Sequence, residues 1–401
     1  MNAHINYLFI ALIFILTAGC KHEKKEIKIS DENKTEISAK KPDSLIKKPE
    51  PKPLEPGTKA PDFNLPGIDG KNYTLSDFND YETLVVLFTC NHCPTAQAYE
   101  EKFIQIVNQY QNKNVGFLAI SPNATRAISL SELGYSDMGD SLEEMKLRAN
   151  QKGYNFPYLY DGDTQQTSLA YGPLATPHVF VFNKERILKY SGRIDDTENP
   201  YIQPKTTDLI NVLDALTAGK EVTVNKTKTF GCSVKWSWKN DWVKKQKEQW
   251  AEEPVSLNEI SLPEVGEMIK NDSDKLRLIN FWATWCGPCV MEFPELININ
   301  RMYRDRDFEF ISVTTDKMNK KEKALELLKK KEASNVNYIY SGNDVYELIE
   351  AVDKNWQGSL PYTVLIAPGG EVLYKVEGTF DPPVLKKTIV DYLGRYYADN
   401  K

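Results

Sequence analysis

Short apolar runs, separated by stretches of helical periodicity, set the plan of this chain. TLVVLFT (83–89) is a continuous apolar run of strand length, as a strand buried on both faces requires. PTAQAYEEKFIQIVNQYQ, from Pro94, carries its apolar residues at helical spacing. VGFLAIS (115–121) predicts the next strand and FPYLYD (156–161) a short one. SLEEMKLRANQ (141–151) and QQTSLAYG (165–172) predict helices, and HVFVFNKERILKYSG (178–192) a hairpin. Upstream, APDFNLPGIDGKNYTLSDF (60–78) predicts a short hairpin leading into a helix start.

The plan then repeats. LRLINFWA (276–283) predicts a buried strand, and a helix opens at Cys286-Gly-Pro-Cys289 and continues MEFPELININRMYR. FEFISVTT (308–315) is a strand, KEKALELLKK (321–330) a helix, and LPYTVLIAPGGEVLYKVEG (360–378) two strands around a Pro-Gly-Gly turn. A closing helix, PPVLKKTIVDYLGRYY, comes last. Strands alternating with helices predict an α/β fold, here two tandem domains at 58–225 and 256–401, each a central mixed sheet flanked by helices.

Three other segments complete the chain. Residues 1–20 hold an apolar core from Tyr7 to Leu16, too short to span a bilayer comfortably, ending in small residues as an export signal does. Residues 21–57 are rich in Lys, Glu, Ser and Pro and bury too little to fold, which predicts a disordered tether. Its span would be roughly 30–35 Å. Residues 226–255 hold four of the seven tryptophans (Trp236, Trp238, Trp242 and Trp250) among many lysines. That connector is too aromatic for a free linker and is expected to pack against the domains.

Composition narrows the function. The 401 residues are 41% hydrophobic and 26% charged, ordinary values for folded domains. A net charge of −6, without a basic cluster in the later chain, argues against a nucleic-acid partner. The six cysteines, at positions 20, 90, 93, 232, 286 and 289, are too few for a disulfide-stapled scaffold. Two CxxC pairs at the ends of predicted strands point to thiol chemistry. Cys286 would sit at the positive end of a helix dipole, which stabilises a thiolate nucleophile, with Cys289 one turn on to resolve a mixed disulfide. Zinc would need further Cys or His ligands, and no His occurs after His178. Cys232 stands alone; a buried apolar role and a third redox role are both open.

FWATWCGPC (281–289) strongly resembles the thioredoxin superfamily, in which WCGPC marks the active site. The resemblance implies a thioredoxin-like fold, Cys286 as nucleophile, and Pro361 as the cis proline facing the disulfide. The family's buried Asp, six residues before the first cysteine, is replaced by Asn280. Glu292, in Glu292-Phe293-Pro294, is similar to the carboxylate of the TlpA/ResA group of exported thiol reductases; it would exchange the resolving thiol's proton, or simply be a solvated helix residue.

The first domain resembles the peroxiredoxin-like branch of the AhpC/TSA redoxins, through VVLFTCNHCPTAQAYEEKF, FPYLYD, AYG, Thr176-Pro177 and SGRIDD. That implies Pro177 as its cis proline and Arg193 as a thiolate-stabilising cation. Cys90 stands where the peroxidatic Thr belongs, which favours dithiol exchange between Cys90 and Cys93 over peroxide reduction. His92 is expected to stabilise a Cys90 thiolate and to make this pair the more oxidising one. Leu16-Thr-Ala-Gly-Cys20 resembles a bacterial lipobox, implying lipidation of Cys20 and a cell-envelope location, although the leading region lacks Lys and Arg.

The leading expectation is therefore a thiol–disulfide oxidoreductase without a cofactor other than its disulfides. Its partners would be protein thiols and disulfides of the envelope and an upstream membrane thiol reductant. The alternatives are a thiol peroxidase recycled by the second domain, or a copper- or zinc-binding module using Cys90, Cys93, His92 and His178.

Overall fold

The computed structural model describes residues 50–162, 164–199 and 201–397; the expected signal segment, Cys20 and most of the tether lie outside them. Among the described residues, no helix is long and apolar enough to cross a membrane. The elements, in chain order, are β1 (Asn64–Pro66), β2 (Asn72–Thr74), β3 (Thr83–Phe88), α1 (Pro94–Tyr110), β4 (Val115–Ser121), α2 (Leu142–Lys152), β5 (Tyr158–Tyr160), α3 (Gln166–Tyr171), β6 (Ala175–Thr176), β7 (His178–Phe182), β8 (Leu188–Gly192) and α4 (Asp208–Thr217). The connector contributes β9 (Cys232–Ser233) and α5 (Asn240–Ala251). The second half is built from β10 (Asn258–Ile260), α6 (Leu262–Lys270), β11 (Leu276–Trp282), α7 (Gly287–Tyr303), β12 (Phe308–Thr314), α8 (Lys321–Lys330), β13 (Val336–Tyr340), α9 (Val345–Val352), β14 (Tyr362–Ile366), β15 (Val372–Glu377) and α10 (Pro382–Leu393).

The two halves share a topology. The first sheet runs β5-β4-β3-β7-β8 and the second β10-β13-β12-β11-β14-β15. Three strands run parallel in the first sheet and four in the second, and in each the closing hairpin adds antiparallel to the strand that carries the motif. Strand alternation gives each sheet two cores. Val85 and Leu87 of β3 face the α1 side with Tyr99, Phe103 and Ile106, whereas Leu84, Val86 and Phe88 face Phe180, Phe182 and Tyr171. In β11, Leu276, Leu278 and Trp282 face α7, and Ile279 and Phe281 pack on the other side with Trp356.

The flanking segments are built into this frame. Residues 50–57, read from sequence as tether, lie along the first domain: Leu54 N–H donates to Tyr171 O (3.0 Å) and Gly57 N–H to Leu188 O (2.8 Å). In the connector, Trp236 stacks on Trp238 with ring centroids 5.0 Å apart, and Trp250 is buried beneath the Arg301 guanidinium, 5.0 Å from its ring. Trp242 remains exposed.

The loop between β4 and α2 joins the two domains. Its Leu133, 9% exposed, is part of the second domain's core, with Ile128 and Leu130 packed against it. Tyr303 O–H donates to Ser136 O (2.8 Å), and Arg306 Nη1 to Gly134 O (2.9 Å). Beyond α10, Arg395 reaches Gln97 Oε1 (2.8 Å) and the buried carboxylate of Asp137 (2.9 Å). The contacts with α7 gather at its C-terminal end, whereas Cys286 caps its N-terminus. At 1.5 Å per residue, those ends are about 25 Å apart.

Because Leu133 fills the neighbouring domain's core, Leu133→Ala should cost about 2–4 kcal/mol. It should also hasten proteolytic cleavage of the 125–140 loop. Urea unfolding and limited proteolysis of the full chain check both effects.

Candidate active sites

The second domain's site begins where β11 ends. Cys286 is the N-cap of α7, with Gly287 and Pro288 in the first turn, where a missing or unpaired N–H costs little. Cys286 and Cys289 form a disulfide, and Cys289 N–H points at Cys286 Sγ (3.2 Å). The preceding loop is held by Asp316, which accepts from Thr284 N–H (2.7 Å) and Thr284 Oγ1 (2.9 Å). Trp282 packs under the loop on Phe293, whereas Trp285 is 71% exposed. Behind the pair, Asn280 Nδ2 donates to Glu292 Oε1 (3.1 Å) and Thr363 Oγ1 (2.9 Å). Burial pushes the Glu292 carboxyl up to about 7, against the pull of the Asn280 hydrogen bond. Glu292 is thus half-buried behind the pair, not a solvated helix glutamate. Leu360–Pro361 is cis, as the family resemblance implied.

In the first domain the motif meets its helix in a different register. Cys93, the second cysteine of the CxxC, is the N-cap of α1, with Pro94 at the first helical position. By helix register Cys93 therefore corresponds to Cys286, and Cys90 lies in the loop before the helix. Cys90 Sγ contacts Thr176 Oγ1 (3.2 Å), and Cys93 Sγ lies 3.2 Å from Thr176 O, the acceptor for its thiol form. Thr176–Pro177 is cis. Cys232 joins them: its backbone N–H donates to Cys93 Sγ (3.3 Å), and it packs against the buried group of Cys90, Cys93 and Ala96. The result is a three-thiol cluster centred on Cys93.

A buried ion pair supports it from below. Asp140 Oδ2 lies 2.6 Å from His92 Nδ1, and Oδ1 accepts from the N–H groups of Asn91 (2.8 Å) and His92 (3.1 Å). Asn123 Nδ2 completes the carboxylate's shell (2.7 Å). Burial opposes charge on His92, but the Asp140 carboxylate outweighs it and raises the imidazole above its ordinary value. Burial also pushes the Cys93 thiol up, yet hydrogen bonds from Cys232 and Cys90, the His92 charge and the Ala96 N–H together hold it well below the usual thiol range. Cys90 is raised instead, by burial, by its hydrogen bond to Cys93 and by the Asp140 charge. His92 was expected to favour a Cys90 thiolate; it favours Cys93, because Cys93 has the helix N–H groups and Cys90 faces Asp140.

Two other sequence expectations are corrected. His178 shares its strand phase with Phe180 and Phe182, so alternation sends it to the face opposite α1. Its ring stacks on Phe180, 4.4 Å between centroids, and its nitrogens engage Leu174 N–H (3.3 Å) and Ser191 Oγ (3.1 Å). Burial, then the Lys226 charge, lower its pKa to about 3, so the ring is neutral. It lines a separate cleft of about 590 Å³ and does not join Cys90, Cys93 and His92. Arg193 is likewise committed elsewhere, its Nε 2.8 Å from Asp208 Oδ2 at the start of α4. The cation acting on Cys93 is His92. Among the described residues, the donor group dense enough for a metal is Cys90, His92 and Asp140, with ligand atoms within 4.8 Å of one another.

Sequence reasoning missed Asp140, Asn123 and Asp316, and named Thr176 without its contact with the thiols. Asp140 meets His92 across 48 positions, and nothing local in SDMGDSLEE separates it from the neighbouring acids.

Family models match both halves: the AhpC/TSA family over residues 56–191 and Redoxin over residues 270–392. The chain is 30% identical over 115 residues to thiol-disulfide oxidoreductase ResA of Bacillus subtilis, covering 29% of this chain and 58% of that protein. It is 31% identical over 110 residues to ResA of Oceanobacillus iheyensis, covering 25% and 48%. The chain thus spans about half the length of the curated relatives it matches. Among solved structures, a hypothetical protein of Sinorhizobium meliloti aligns at 32% identity over 47% of this chain and 99% of its own, with a TM-score of 0.42.

Glu292 carries a proton in the folded chain that the unfolded chain releases above its ordinary value of 4.5. Its contribution to stability is therefore complete below that value and is lost as pH rises through about 7. Glu292→Gln should flatten this part of the profile, read from urea midpoints at about pH 5 and about pH 8. Asp140→Asn should release the His92 charge and move the Cys93 thiolate titration upward. Ultraviolet thiolate absorbance in a Cys286→Ser/Cys289→Ser background reads that shift.

Proposed function

We propose that this chain, a thioredoxin-superfamily protein with an AhpC/TSA-family domain followed by a Redoxin-family domain, is a thiol–disulfide oxidoreductase of the bacterial cell envelope. The observation that carries the reading is a disulfide whose first sulfur caps a helix, with the half-buried Glu292 carboxyl, held by Asn280, behind it. In the reduced form, the Cys286 thiolate attacks a protein disulfide, forming a mixed disulfide and expelling the partner's other sulfur. The Cys289 thiol, its proton passing to Glu292, attacks Cys286 Sγ and releases the reduced protein. Two electrons leave the dithiol and the Cys286–Cys289 bond re-forms. Exposed Trp285 and Met291 supply apolar surface beside Cys286 for a polypeptide substrate.

The first domain supplies a second dithiol of different character. Stabilising the Cys93 thiolate stabilises the reduced state, so its disulfide is the more oxidising of the two. Electrons therefore run downhill from the second domain to the first. In the docked arrangement the first domain meets α7 at its C-terminal end, away from Cys286, so the transfer passes through an external carrier, a second copy, or an undocked form. The export signal and lipobox read from residues 1–20 support the envelope location, with the membrane reached through Cys20 and a membrane thiol reductant upstream. The peroxidase reading loses its expected cation, since Arg193 is held by Asp208. The copper- or zinc-binding reading rests on Cys90, His92 and Asp140; metal retained stoichiometrically by reduced protein after dialysis would support it.

Dithiothreitol-primed protein should reduce insulin, and Cys286→Ser should abolish that while Cys90→Ser/Cys93→Ser leaves it largely intact. Redox titration with either pair replaced by Ser should place the Cys90–Cys93 couple at the higher potential. Insulin reduction surviving Cys286→Ser, or reversed potentials, contradicts the scheme.

A further inference from the structure

Cys232 lies beyond the CxxC motif, yet the fold delivers it to Cys93. Residues 226–233 run along the edge of the first domain: Ser191 N–H donates to Asn225 O (3.1 Å), Thr227 N–H to Ser191 O (3.1 Å), and Thr227 Oγ1 meets Tyr190 O–H (2.7 Å). β9 then pairs antiparallel with β6, setting Cys232 opposite Thr176 and Ser233 opposite Ala175. This close approach depends on Gly231. Its φ is +119°, and a Cβ there would lie 2.1 Å from Thr176 O. Beyond the ladder, Lys235 N–H donates to Asn123 Oδ1 (2.8 Å), the same Asn123 that holds Asp140. The strand bearing Cys232 is thus fixed at both ends to the shell around Cys93.

Exposure separates the three thiols. Cys93 is 0% exposed and Cys90 2%, whereas Cys232 is partly open to solvent. The geometry points to Cys232 as a shuttle cysteine that carries oxidising equivalents between the buried Cys90–Cys93 pair and external dithiols. This role rests on the dithiol-exchange reading of the first domain given above.

The steps balance. From the Cys90–Cys93 disulfide, the Cys232 sulfur attacks Cys93 Sγ; the Cys93–Cys232 bond forms, and Cys90 leaves as thiolate and takes the proton Cys232 gave up. An external dithiol, as thiolate, then attacks the Sγ of the partly open Cys232. Cys93 departs with the bonding electron pair, and the external sulfur is joined to Cys232. The external partner's second thiolate attacks its own mixed-disulfide sulfur, closing the partner's disulfide and releasing Cys232, which is reprotonated. The domain gains two electrons and the external dithiol loses two. In the second step the departing sulfur is Cys93, which its neighbours hold low, and a low-pKa sulfur leaves faster.

The test uses the full chain with Cys286→Ser and Cys289→Ser to silence the second site. After oxidation by glutathione disulfide, non-reducing peptide mapping should find Cys90–Cys93 in this parent and Cys93–Cys232 once Cys90→Ser is added. Adding Cys232→Ser to the parent should still permit the Cys90–Cys93 disulfide but slow its reduction by dithiothreitol about tenfold or more. The backbone N–H of Cys232 is kept in that variant, and Cys232→Ala is the second form should the serine impair folding, which circular dichroism reads. An unchanged reduction rate, or no Cys93–Cys232 peptide in the Cys90→Ser protein, overturns the shuttle. Failure of the parent to form any disulfide at Cys93 would instead overturn the dithiol reading beneath it.

Discussion

A sulfur placed at the N-cap of a helix that continues from a buried strand is the constraint both halves of this protein share. The first turn of a helix leaves N–H groups without intrahelical partners, and an anionic sulfur satisfies them. For that to work, the strand must end at a fixed distance from the helix start, and the loop must not wander. In each half a carboxylate from the loop after the next strand does the fixing: Asp140 grips Asn91 and His92, and Asp316 grips Thr284. The two sites differ in where the partner thiols lie. Cys286 has its partner one turn along the helix, whereas Cys93 has its partners outside the helix, in the preceding loop and on β9.

That difference explains how far the sequence could be read. The strands bearing the motifs, the helices after them and the closing hairpins are set by apolar runs and helical spacing, which are local. The elements left unread carry mixed signals. α6 contains Pro263 and Gly266, α5 is polar on most faces, and β13 is a short run interrupted by Asn337. Within the sites, residues adjacent to a motif were legible: Cys90, Cys93, Cys286, Cys289, and the two prolines that prove to sit after cis bonds. Residues whose role depends on side-chain direction were not. Strand phase turns His178 away from α1, and a local ion pair takes Arg193. Cys232 was visible as a lone thiol, but no spacing rule links it to Cys93; the β6–β9 ladder does.

The charge pattern around Cys93 shows why burial alone does not decide reactivity. Cys90 and Cys93 are both almost completely buried, and burial pushes both thiols toward the neutral form. What divides them is direction. Cys93 is held low by its neighbouring thiols, by the N–H groups of Cys232 and Ala96 and by the charge of His92, whereas Cys90 gives its hydrogen bond away and faces the Asp140 charge. Asp140 therefore acts with opposite sign on the two sulfurs: directly it disfavours a Cys90 thiolate, and through His92 it favours one at Cys93. A single buried carboxylate makes the pair asymmetric.

Docking adds a further asymmetry. The 125–140 loop that carries Asp140 also inserts Leu133 into the second domain and meets the C-terminal end of α7 through Ser136 and Gly134. Support for the first site and attachment to the second domain thus come from one loop. Whatever loosens the docking also works on the backbone that ends at Asp140, and with it the His92 charge that steadies Cys93. The disulfide at the far end of α7 is spared, because its own loop is held by Asp316 within the second domain. Docking and the support of the first site are therefore tied to one stretch of backbone, whereas the loop that positions Cys286 is held without it.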